Sequence, residues 1–183
     1  FYFSLAVFVL GLVRHLILRI WWRPREPWDG CSFREGGLWL APLRALFLSG
    51  MVLVPLFHEG HVRLWERGLG WRWPSLGEPL AGHLTIATVI LGLVLLGARI
   101  VIPRLRASRH LDMWLIPPLV SVAFASGYLM AHPAWYPLSP RPLELLHVLC
   151  GEALLIWLPF SCALARITRP LGRLRNHAKE PTS

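Results

Sequence analysis

The chain has 183 residues, 55% of them apolar, with a mean hydropathy of +0.49 and a formal charge of +9. Its apolar residues fall in long blocks, which excludes an ordinary soluble domain and points to an integral membrane protein. The charge would suggest a nucleic-acid partner for a soluble protein, but its one-sided placement along this chain argues against that.

A helix crosses a hydrocarbon layer of roughly 30 Å with about 20 residues. Five blocks qualify: Phe1 to Trp22, Trp39 to His58, Leu80 to Ile102, Asp112 to Met130, and Leu143 to Ile167. The first has neither a basic leader nor a small-residue cleavage site, so it is expected to be a retained helix, not a signal peptide. Its Arg14 and Arg19 can snorkel to one interface. The connection Arg23–Gly30 and the segment Gly68–Pro74 are rich in turn formers and read as irregular loops. The loop from Pro103 to His110 precedes Asp112, which is placed to cap the fourth span. Four prolines punctuate the connection from His132 to Pro142.

With alternate loops assigned to alternate sides, 15 of the 19 Lys and Arg residues fall on one face. The positive-inside rule then puts the amino terminus outside and the carboxyl terminus in the cytoplasm. Trp21, Trp22, Trp28, Trp39 and Trp114 collect toward the inner interface, and Trp65, Trp71, Trp73 and Trp135 toward the outer one. Cys31, Cys150 and Cys162 are odd in number and imply no disulfide framework; they read as small packing residues. The predicted fold is all-α: a five-span bundle over residues 1–168, N-terminus outside, followed by a basic cytoplasmic tail over 169–183. That tail suits anionic lipid or a cytoplasmic partner, although a solvated tail obeying the charge rule is the simpler reading.

Ionisable groups inside a span are costly and are functional candidates. His58, His61, His83, His147 and Glu152 cluster in the outer half of the predicted bundle. His58 ends the second span and His147 opens the fifth, so an up-and-down topology sets them at one depth, as bis-histidine haem ligation requires. His61, one turn further on, is expected at the interface. Glu152 is expected to be buried, either relaying protons or hydrogen-bonding across helices. The chain lacks Cys-x-x-Cys, Cys-x-x-Cys-His and His-Glu-x-x-His; His58-Glu59-Gly60-His61 misses the i,i+4 spacing of a zinc pair.

The run Leu146-His147-Val148-Leu149-Cys150-Gly151 through Leu158-Pro159-Phe160-Ser161 resembles the last span of the respiratory nitrate reductase gamma-subunit family. That family includes the membrane cytochromes b of the dissimilatory-sulfite-reduction (Dsr) complex and of heterodisulfide reductases. Pro103-Arg104-Leu105-Arg106-Ala107 followed by Asp112 is similar to the family's cytoplasmic loop between spans three and four. The resemblance implies haem b held by His58 and His147. The family's second, inner pair of ligands would land on Leu48 and Ala165, which cannot ligate iron, so one haem is expected. His15 and His110 lie near the inner face but are not expected to replace them.

The resemblance also implies a quinone or quinol as substrate, beside the start of the third span, where His83 and Glu78 stand. The implied role is an electron-transfer subunit, not catalytic alone, that links the quinone pool to iron-sulfur or cytochrome partners. Its place would be the cytoplasmic membrane of a bacterium or archaeon, with no nucleic-acid partner. The competing expectation is a non-redox membrane anchor that has lost haem ligands. A transporter is disfavoured, because no paired Gly/Pro-broken helices occur in two related halves.

Overall fold

A computed structural model describes residues 2–20, 39–106, 111–135 and 140–161. These form seven α-helices: α1 (Tyr2–Ile20), α2 (Leu40–Phe57), α3 (Glu59–Leu69), α4 (Glu78–Val101), α5 (Pro103–Arg106), α6 (Asp112–Ala131) and α7 (Pro140–Trp157). A 3-10 turn follows α6 at Pro133–Trp135 and another follows α7 at Leu158–Phe160. The Arg23–Gly30 loop, Cys31, His110, Cys162, Ala165, the inner end of the predicted fifth span and the 169–183 tail lie outside the described residues, as does the His15 side chain.

Four helical segments are long and apolar enough to cross a membrane: Leu40–Phe57, Glu78–Val101, Trp114–Ala131 and Pro140–Phe160. This is the build of a multi-pass membrane protein, with large apolar side chains such as Ile90, Leu93 and Val101 left more than half exposed on the outside of the bundle. For the second, third and fourth predicted blocks the observed boundaries agree within a few residues. In α1 the apolar stretch among the described residues is shorter, Phe3–Arg14.

Helices α2, α4, α6 and α7 pack in that order, and α1 lies on the far flank of α7. Gly50 of α2 meets Thr88 of α4, while Gly92 of α4 meets Phe47 of α2 and Ser121 of α6. These pairings run antiparallel, and so do α6 and α7, where Ala123 lies beside His147 and Asp112 beside Trp157. A Cβ on Gly50 would collide with the Thr88 side chain, and one on Gly92 with Ser121 Oγ. Small residues set the helix spacing here because lipid supplies no hydrophobic force between helices, only close van der Waals packing. Thr88 Oγ1 donates to Leu84 O at 2.7 Å, so its polar atom is satisfied within its own helix.

The core joins Phe47, Leu48, Met51 and Val54 of α2 with Ile116, Val120, Ala123 and Phe124 of α6 and Cys150 of α7. Among the described residues α2 and α7 are not a closely packed pair, so the bundle's ring is loose at that seam. Helix α1 runs parallel to α7: Ser4 meets Glu152, and Gly11 meets Pro159.

Two local expectations need correction. Asp112 does not cap α6; the cap position is Leu111, and Asp112, already in the first turn, accepts a hydrogen bond from Trp157 Nε1 at 3.1 Å. The irregular loop expected from Gly68 begins later, because Gly68 and Leu69 still belong to the helical segment that follows His58. That segment is the amphipathic helix α3, closed by Gly70 at φ 72, where a left-handed conformation favours glycine.

Candidate functional site

The site is built at the corner between α2 and α3. Helix α2 ends at Phe57, and the single residue His58, at φ −65 and ψ 131, turns the chain before α3 begins at Glu59. A helix end leaves its last carbonyls unsatisfied, and here the following loop returns to fill them. Trp73 Nε1 donates to Leu56 O at 2.7 Å and Leu76 N to Phe57 O at 2.8 Å. His58 O accepts from His61 N and Val62 N, both at 3.0 Å, starting the first turn of α3. The His58 side chain caps that turn, with Nδ1 accepting from Gly60 N at 3.2 Å, the place usually taken by Ser, Asp or Asn.

His147 stands in the second turn of α7 and points onto α6. Its Nδ1 donates to Ala123 O at 2.7 Å and lies 3.5 Å from Ser126 Oγ. A carbonyl on Nδ1 sets the proton there and leaves Nε2 as the free base, the arrangement found behind metal-ligating histidines. Gly127 makes room for the ring, since a Cβ at that position would press on His147 Cε1.

The structure brings His58 and His147 to one region but inserts a third imidazole between them. The His61 ring centre is 5.7 Å from that of His58 and 5.9 Å from that of His147. His61, expected at the interface, thus packs against both other rings. The residue is half-buried, and its Nδ1 is shielded from solvent without a hydrogen-bond partner among the described residues. Burial, reinforced by the neighbouring His58 and His147, pushes its pKa down from 6.5 to about 4, so the ring is neutral at physiological pH.

The other predicted site residues lie apart from this cluster. His83 is exposed on α4, its Nδ1 turned back to Pro79 O of its own helix. Glu78 is exposed in the first turn of α4, where a carboxylate complements the positive helix end. Glu152 faces α1, not the histidines: Ser4 Oγ donates to Glu152 Oε2, realising the cross-helix hydrogen bond. One pairing had no sequence signal beyond its i,i+4 spacing: Tyr128 and His132 stack at 4.1 Å at the C-terminal end of α6, and His132 Nδ1 donates to Tyr128 O at 2.9 Å.

Chemically, the cluster is a row of imidazoles and not a chelate. Among the described residues no three His, Cys, Asp or Glu side chains converge to hold a metal ion. A tetrahedral zinc site, which needs three or four such groups, does not fit. A haem iron would need only two imidazoles, and those that could hold one here are at the α2–α3 corner and on α7. With metal–imidazole bonds of about 2 Å on each side, the two ring centres stand roughly 6 Å apart, a spacing that adjacent members of the row meet.

No family model matches the chain, and no solved structure matches it. It is 32% identical over 122 residues to a curated protein of Nitratidesulfovibrio vulgaris whose printed description is the single word "Protein". The aligned region covers 63% of this chain and 50% of that protein, so the chain spans about half the length of the relative it matches.

Proposed function

We propose that the chain is a haem b-binding membrane subunit of a respiratory-type redox complex, carrying electrons between the quinone pool and partner redox subunits. One observation carries this reading: imidazoles from the α2–α3 corner and from α7 meet at one end of an antiparallel bundle, across its one loose seam. The resemblance to the nitrate reductase gamma-subunit family of membrane cytochromes b supports it from the residues of α7 and the following Leu-Pro-Phe-Ser.

His147, its Nδ1 held by Ala123 O, would present Nε2 to the iron from one side, and a histidine of the corner would complete the axial pair, His58 being the family's position. The haem, when bound, supplies the one-electron redox chemistry. The protein's own part would be to ligate and orient, with His147 fixed on Ala123 O beside the apolar core. Leu48 on the inner half of α2 is a core residue and no ligand, in keeping with a single haem. Glu78 and His83, exposed at the outer end of α4, are open to a quinone diffusing in lipid; His83 is the group suited to exchanging its protons.

The five-span count and the orientation belong to the same reading. Helix α1 has 19 residues and runs parallel to α7, as the first and fifth spans of an odd-numbered up-and-down bundle must. The skew of basic residues then places the histidine cluster near the outer face of the cytoplasmic membrane, with iron-sulfur or cytochrome partners completing the electron path.

The test is a reduced-minus-oxidised absorption spectrum of the purified protein with haem quantified per chain. Sharp b-type bands and about one haem per chain are expected, and His147→Ala should abolish them while leaving the protein inserted. Haem-free protein from haem-replete cells would favour the non-redox anchor.

A further inference from the structure

We infer that His61, not His58, is the imidazole opposite His147 on the iron, and that His58 is the capping residue that positions it; this rests on the haem reading above.

Three observations converge on this assignment. First, His58 is already engaged. Its Nδ1 accepts from Gly60 N at 3.2 Å, so a neutral His58 carries its proton on Nε2, the nitrogen that would have to face the metal. Coordination through Nε2 would require moving that proton to Nδ1 and giving up the cap, exposing the N-terminal amides of α3. Second, His61 has the complementary arrangement: a buried ring nitrogen with no partner among the described residues, on a side chain with no capping duty. Buried polar atoms are nearly always paired, and an orphan calls for a ligand or another explanation. Third, His61 is the member of the corner that lies against His147, at 5.9 Å between ring centres with planes inclined by 39°. No ring contact joins His58 to His147, and His61 stands between them.

The fold explains how this comes about. Had α2 continued straight past Phe57, His61 would stand one turn further out along the axis. The turn at His58 redirects the chain, and α3 carries His61 toward α7. The corner is rigid: Trp73 and Leu76 tie its carbonyls, Trp73 and Trp65 pack at 6.2 Å, and Val62, next to His61, is only 2% exposed.

The experiment compares full-length wild type, His58→Asn, His61→Ala and His147→Ala purified in detergent, by haem content and by absorption and electron paramagnetic resonance of the ferric state. Asparagine keeps a capping acceptor at position 58. His58→Asn should therefore retain a low-spin, six-coordinate haem. His61→Ala should either turn high-spin or lose haem by at least about tenfold, the lower bound for disturbing even an outer-shell partner. Added imidazole should restore the low-spin signal in His61→Ala by occupying the vacated axial position, which also shows that the variant is folded. A high-spin His58→Asn rescued by imidazole, beside a low-spin His61→Ala, overturns the assignment in favour of His58 and leaves the haem reading intact. Wild type without haem overturns both.

Discussion

His61 has a measurable acid signature because folding strips it of proton affinity. Its pKa is about 4 in the folded protein against 6.5 ordinarily. Between those values the unfolded chain holds a proton that the folded chain refuses. Stability is therefore unaffected above pH 6.5 and falls as the pH drops through the window, by about 3 kcal/mol when the crossing is complete. Thermal unfolding of the haem-free protein in detergent at pH 7 and pH 4.5 should show the drop, and His61→Leu should flatten it. At the same scale, Gly50→Ala should destabilise by about 1–3 kcal/mol, as overpacking does, because the new methyl meets Thr88. Gly97→Ala, on α4 with nothing within 4 Å of the added carbon, should be neutral or slightly stabilising. Steric-trap or denaturant unfolding of the two variants separates these outcomes. That His58 and His147 lie toward one end of the bundle was legible because spans of similar length level their ends. The intervening His61 was not, since its place depends on a one-residue turn in backbone direction.

Among the elements, the spans were readable and the connections were not. A run of some twenty apolar residues has one low-energy form in lipid, so α2, α4 and α6 appear where composition places them. Helix α3 was missed because Val62, Leu64, Trp65 and Leu69 alternate with charges in a stretch that composition reads as loop. The capping contact from His58, the packing of Trp65 on Trp73 and the burial of Val62 show it as a docked amphipathic helix. His58→Ala should therefore fray α3 and cost about 1 kcal/mol, the usual worth of an N-cap, whereas His58→Asn should not. Backbone hydrogen exchange across Glu59–Leu69 reads this directly. Asp112 shows the converse: a good capping residue by type, it falls one position inside the helix and bonds to Trp157 of α7.

For the whole molecule, the antiparallel order of α2, α4, α6 and α7 and the parallel alignment of α1 with α7 make a topological prediction. In a background lacking Cys31, Cys150 and Cys162, cysteines introduced at Arg72 and Trp135 should react with impermeant thiol reagents from the outside of intact cells. One at Arg104 should react only after the cytoplasmic side is opened. Labelling of Arg72 and Arg104 positions from the same side would break the up-and-down order.

By itself the sequence determined that the chain is a helical membrane bundle, where its spans lie, and that histidines gather at one end, because apolar run length and charge placement are one-dimensional quantities. Only the tertiary structure decided that α2 and α7 leave a loose seam, that α3 folds back at His58, and that a His61 ring nitrogen is shielded without a partner among the described residues. Those outcomes depend on which helices touch and on how one backbone turn aims the residues after it, and no pattern along the chain encodes either.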